Sequence, residues 1–143
     1  MERIERIFPG GIPKAVGPYS PVTAVGDLLF ISGQIPINPE TNNIDSEDIE
    51  WQAHQCMKNL RAAVEGADSN LSLVTKTTVL LTDMSVFPKI NDIYASYFEQ
   101  GKYPARACYA VAALPKGSKI EIEAVAVRQS VNESLKKKIK GEW

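Results

Sequence analysis

Three short stretches constrain the fold most. Leu28-Leu-Phe-Ile31, Val79-Leu-Leu81 and Ala124-Val-Ala-Val127 are apolar at consecutive positions rather than at alternate ones. Side chains of a strand point alternately to its two sides, so strands of this kind are buried on both faces. The chain has two long segments of helical periodicity in its body, and two helices cover only one face of a five- or six-stranded sheet. At 143 residues it is one domain by length, with no second domain to cover the other face. The expectation is a homo-oligomer whose sheets pack across subunits, with sites in the clefts where strands of two chains converge.

The rest of the chain supplies the elements around those strands. Residues 4–8 read as a first strand, ended by Pro9-Gly-Gly-Ile-Pro13. Gly17-Pro-Tyr-Ser-Pro21 is a rigid turn in which two prolines restrict Tyr19. Residues 22–25 and 28–32 form strands around the turn signal Gly26-Asp27, and residues 33–45 read as an excursion loop. Ile49, Ala53, Cys56, Leu60, Ala63 and Ala67 recur at helical spacing and predict a helix over 47–66, with Asp45, Ser46, Glu47 and Asp48 suited to its N-terminus. A strand over 73–82 is rich in Thr and Val. A second helix is predicted over 85–99, with Pro88 in its first turn and a stripe of Val86, Ile90, Ile93 and Tyr97, widened by Phe87, Tyr94 and Phe98. Residues 105–113 and 119–127 read as a closing hairpin about Pro115-Lys-Gly-Ser118. The order β-β-β-α-β-α-β-β is an α+β layer with its helices on one face of the sheet. Residues 1–128 make the domain, and 129–143 a separate basic tail. In that tail Ser130 and Glu133 resemble a capping box, and Val131, Leu135 and Ile139 share a helical face. It reads as a solvated terminal helix or as a docking segment for an acidic partner.

Composition removes several classes of function. Sixteen basic and 17 acidic residues give a net charge of -1, which supplies no general attraction to nucleic acid or anionic membrane. No apolar run is long enough for a membrane span. The segment Met1-Glu-Arg-Ile-Glu-Arg-Ile has no apolar core of a secretory signal, and its glutamates weigh against a transit peptide. Cys56 and Cys108 are far apart and read as reduced thiols. His54 is the one histidine, so no histidine metal cluster or two-histidine nuclease can be built, and no metal site is expected. Phosphate-binding glycine loops and a Gly-x-Ser-x-Gly elbow are absent. Ser32 follows a strand directly, but lacks a histidine base and is not read as a nucleophile.

Two charges stand out in the closing hairpin. Arg106 has almost no polar company in Pro104-Ala-Arg-Ala-Cys108, and a buried guanidinium needs a partner. Its flat fork of donors matches a carboxylate. Glu121 and Glu123 lie on the other strand and point the same way, so spacing does not choose between them. One reading is a structural salt bridge from Arg106 to Glu121 or Glu123. The other is a site in which Arg106 grips an anion and Glu121 moves a proton. Cys108 shares a face with Arg106, as a core residue or a nucleophile. Asn91 and Tyr94 on the second helix cap or pack.

At these residues the chain resembles the RidA/YjgF family of reactive-intermediate deaminases, over about residues 15–128. The similarity rests on Pro104-Ala-Arg-Ala-Cys-Tyr109 with Leu114 and Ile120-Glu-Ile122. It is supported by Ala15-Val-Gly-Pro-Tyr-Ser20, Ile31-Ser-Gly-Gln-Ile-Pro36, Val74-Thr-Lys-Thr-Thr-Val79 and Asn91. The resemblance implies a chorismate-mutase-like α+β fold, with a mixed six-stranded sheet, and a homotrimer whose sheets form a barrel with three intersubunit clefts. It implies hydrolysis of 2-aminoacrylate and related 2-imino acids to 2-keto acids and ammonia, without a cofactor. Arg106 and Glu121 would be catalytic. Tyr19, Ser32, Asn91, Arg106 and Cys108 would bind substrate, with Tyr19 from the neighbouring subunit and Cys108 through a backbone group. A cytoplasmic location is expected, with mitochondria as the alternative. A non-catalytic member binding small carboxylates or a partner is a second reading. An endoribonuclease or translation inhibitor is a third, against which the net charge and the lone histidine argue.

Overall fold

The computed structural model describes residues 3–129. The tail helix expected beyond residue 129 lies outside them. Six strands form one sheet in the order β1-β2-β3-β6-β4-β5. They are β1 (Glu5–Ile7), β2 (Val22–Val25), β3 (Leu28–Gln34), β4 (Val74–Leu81), β5 (Ala105–Ala110) and β6 (Ile120–Val127), with α1 (Ile49–Glu65) and α2 (Phe87–Ala95) between them. The chain order is the one expected. The sheet is mixed: β4 and β5 are parallel and every other pair is antiparallel.

The closing segment departs from expectation. β5 and β6 do not form a hairpin, because β4 lies between them and pairs with both. The chain leaves β4, crosses through α2 and returns as β5 parallel to β4, the connection a parallel pair requires. β5 is therefore an edge strand, and the link from β5 to β6 steps over β4.

Helix α1 is shorter than its periodicity extends, starting at Ile49. Asp48 caps it, its carboxylate accepting from the Trp51 N–H at 3.0 Å. The predicted stripe is buried from Ala53 to Ala67, and Met57 and Val64 complete it. Two polar residues, Gln52 and Asn59, are buried on the same helix. The second predicted helix divides into a tight turn at Met84–Val86, opened by the Asp83 side chain, and α2. Both helices pack on the face carrying Leu29, Ile31, Val79, Leu81, Ile120, Ile122, Ala124 and Ala126, which with them is the core.

The opposite face is open. Val25, Leu28, Phe30 and Tyr109 are each 45–52% exposed there. The strands apolar at consecutive positions thus have one side in the core and one apolar side uncovered. Among the described residues no helix is long and apolar enough to cross a membrane.

Candidate active site

Strand register decides which charged residues can meet. Arg106 is opposite Thr77 on β4, and Thr77 is buried beneath α2. Glu121 is opposite Leu80, and Glu123 opposite Thr78. Positions 77 and 80 differ by an odd number along one strand, so their side chains leave opposite faces. Arg106 is on the helix side of the sheet, and Glu121 and Glu123 on the open side. The salt bridge from Arg106 to either glutamate does not form: β4 separates the strands and the side chains point apart. Within one chain Arg106 and Glu121 also do not share a site. The structure holds two separate candidate half-sites instead.

The first half-site is built by β5 and α2. Arg106 Nη1 donates to Asn91 Oδ1 at 2.8 Å. Its guanidinium carbon is 5.3 Å from the centre of the Phe87 ring and 5.0 Å from that of Tyr94. Phe87, Asn91 and Tyr94 are four and three residues apart, on one face of α2. Among the described residues Arg106 pairs with no carboxylate. Asn91, Tyr94, Ala95, Tyr103, Pro104 and Arg106 line one cleft. Cys108 follows on the same face, half-buried and not in a disulfide. Burial pushes its thiol up from the usual value, with Arg106 opposing, so it is held as a thiol and not as a nucleophilic thiolate.

The second half-site is built by β3 and β6. Between Ile31 and Gln34 the register slips, so that Ser32 and Gly33 together oppose Glu123. This bulge lets Ile31 and Gln34 both face the core. The Glu121 side chain lies against Gly33: a Cβ added there would come within 2.5 Å of Glu121 Oε2. Glu121 is half-buried and Glu123 exposed, so the structure separates two residues that spacing left equal. Desolvation raises the Glu121 carboxyl above the ordinary glutamate value, and the neighbouring Glu123 charge raises it further. Ser32 Oγ donates to the Ser20 carbonyl at 2.7 Å, and its N–H to the Pro21 carbonyl at 2.9 Å. Its hydroxyl therefore ties the Tyr19 turn to the bulge. Gly17 opens that turn at φ 129°, a conformation that favours glycine. Tyr19, Gly33 and Gln34 line a second cleft with residues 12–16.

The chemistry and the spacing coincide with a sequence family. The sequence model of the family described as endoribonuclease L-PSP matches residues 11–128. The chain belongs to this family, the RidA/YjgF family. Over 122 residues it is 55% identical to the RutC family protein y4sK of Sinorhizobium fredii, covering 85% of this chain and 96% of that one. It is 46% identical over 116 residues to the 2-iminobutanoate/2-iminopropanoate deaminase of Mus musculus, covering 81% and 85% of the two chains. A crystal structure of E. coli TdcF with bound serine superimposes with a TM-score of 0.82 at 40% identity, covering 87% of this chain and 99% of that one.

Of the residues singled out in the RidA/YjgF-like motifs, Asn91, Arg106 and Cys108 are on the helix side. Tyr19, Ser32 and Glu121 gather about the β3 bulge. His54 stands apart on α1, its Nδ1 2.8 Å from the Tyr97 hydroxyl. Two features were missed. Gly33 is a space requirement, visible only once Glu121 is placed. The Phe87 and Tyr94 rings read in the sequence as packing residues that widen the apolar stripe of the second helix. Their helical spacing about Asn91 was the available signal.

Proposed function

We propose that the protein hydrolyses 2-imino acids, such as the imine of 2-aminoacrylate, to 2-keto acids and ammonia. The observation carrying this is an arginine whose partners among the described residues are all neutral, with its charge left for a small carboxylate. The reading draws support from the relatives named as deaminases and from the serine, itself a small carboxylate, bound by E. coli TdcF.

The two half-sites lie on opposite faces of one sheet, so the proposed site needs two chains. The exposed apolar side of the sheet, with Val25, Leu28, Phe30 and Tyr109, is a surface for another copy to cover. Packing of copies there, as a homotrimer with three clefts, is proposed to bring Arg106 of edge strand β5 to the Glu121–Gly33 bulge of a neighbour. Tyr19 then closes the cleft from the neighbour's side. Arg106 binds the substrate carboxylate and fixes the position of the imine carbon. Glu121 takes a proton from water as its oxygen bonds to that carbon. That proton passes to the nitrogen to give a carbinolamine; the new hydroxyl then gives up its proton, which reaches the nitrogen by way of Glu121 as the C–N bond breaks and the C=O forms, leaving the 2-keto acid and ammonia. Atoms balance with water as the sole co-reactant.

Supplying the enamine from a serine dehydratase and following its absorbance tests this. Wild type is expected to speed its loss and Arg106→Ala to abolish the acceleration. Equal rates with and without the protein, or an Arg106→Ala variant as active as wild type, would overturn the assignment.

A further inference from the structure

Arg106 is an exposed arginine on an edge strand, and among the described residues no acid neutralises it. Its side chain extends over α2, where Asn91 accepts one N–H and two aromatic faces flank the guanidinium. Ring faces carry partial negative charge and attract a cation without neutralising it. An aspartate in the place of Asn91 would hold the guanidinium as firmly, but would compete with any incoming carboxylate. Tyr94 is itself fixed. It is 5% exposed, and its hydroxyl is 2.7 Å from the Thr77 hydroxyl. Thr77 is the β4 residue directly opposite Arg106. One hydrogen bond thus locks α2 to the sheet at the register position from which Arg106 departs.

We propose that Phe87 and the Thr77–Tyr94 pair are positioning residues: they hold the Arg106 guanidinium oriented and uncompensated, so that the cleft selects a singly charged small carboxylate. This rests on the imino-acid reading above. Carboxylate binding is common to ground and transition states, so loss of the cradle is expected to raise KM and leave kcat nearly unchanged.

The test measures KM, kcat and thermal stability, with the calorimetric Kd for 2-ketobutyrate as a probe of carboxylate binding alone. The variants are Phe87→Leu, Tyr94→Leu, Tyr94→Phe and Thr77→Val. Val64→Ala on α1 is the control, a core truncation away from both clefts. Phe87→Leu and Tyr94→Leu are expected to raise KM and Kd roughly three- to tenfold. Tyr94→Phe keeps the ring, so it is expected to recover most of the loss, and Thr77→Val to match Tyr94→Phe. Phe87 is only half-buried, so its variant carries the test even where loss of Tyr94 lowers the folded yield. If Phe87→Leu and Tyr94→Leu move KM and Kd no more than Val64→Ala does, the inference fails. Arg106→Ala, run alongside, separates the two readings. Should it abolish turnover and 2-ketobutyrate binding while the cradle variants match the control, only the present inference falls. Should it leave both intact, the imino-acid reading falls as well.

Discussion

At the scale of single residues, Gly33 and Glu121 form one unit. The space above Gly33 is filled by the Glu121 carboxylate, so Gly33→Ala must push that carboxylate away. The variant is expected to keep its fold and to lose activity by about tenfold to a hundredfold, since misplacing the proposed proton-transfer group by about 1 Å can cost up to about a hundredfold. Turnover with unchanged circular dichroism checks it. As the proposed general base, Glu121 is also expected to set a pH dependence. Burial, then the Glu123 charge, favours its neutral form, so its carboxyl titrates above the ordinary glutamate value. A general base works ionised, so kcat/KM is expected to fall on the acid side at a pH above that value. Glu123→Gln removes a like charge, eases ionisation of Glu121, and is expected to move this limb to lower pH. An unmoved limb would assign the titration to another group. The sequence supplied both glutamates but could not rank them. Their difference is the contact with Gly33, which exists only where the β3 bulge meets β6.

At the scale of elements, α1 does more than cover the sheet. Asn59 Nδ2 donates to the carbonyls of Ile35 at 3.1 Å and Ile37 at 2.9 Å. Cys56 Sγ donates to the Gln34 carbonyl at 3.3 Å, and Gln52 Oε1 accepts from the Lys119 N–H at 2.9 Å. These side chains grip the backbone just after Gly33 and just before Glu121. Asn59→Ala takes the side-chain donor from the buried Ile37 carbonyl, while the Ile35 carbonyl keeps the Ile37 N–H at 2.8 Å, and is expected to cost about 1–3 kcal/mol. A lower urea midpoint at unchanged slope measures this. Element order was legible because it follows from periodicity and turn residues, and those are local. The pairing of β5 was not. Pro115-Lys-Gly-Ser118 looks like a hairpin turn, and local chemistry cannot show that β4, placed earlier in the chain, occupies the gap. The opposite facing of Arg106 and Glu121 was hidden for the same reason, since each strand must first be registered on β4. Gln52 and Asn59 were passed over because a hydrophobic stripe does not reveal polar residues buried within it.

At the scale of the whole molecule, two separate faces carry one proposed reaction. A shared site makes a prediction that no single-chain site makes. Arg106→Ala lacks the proposed anion grip, and Glu121→Gln lacks the proposed proton-transfer group. Each is expected to be inactive alone. If a cleft takes Arg106 from one chain and Glu121 from another, a mixed assembly contains some clefts with both residues intact. Random subunit exchange at equal concentrations leaves each position intact in half of the chains, so about a quarter of wild-type activity is expected. The exchange is done by mild denaturation and refolding of the mixture, with each variant refolded alone for comparison. No gain over the separately refolded variants would place both residues in one chain's site, against the opposed faces of the sheet. A charge on the open face offers a second handle. Phe30→Glu leaves the helix-side core untouched, because Phe30 is 45% exposed in the single chain. It is expected to give a folded species of lower mass by sedimentation, with turnover lost in proportion. If that species kept full activity, the cleft between chains would not be the place where the reaction occurs.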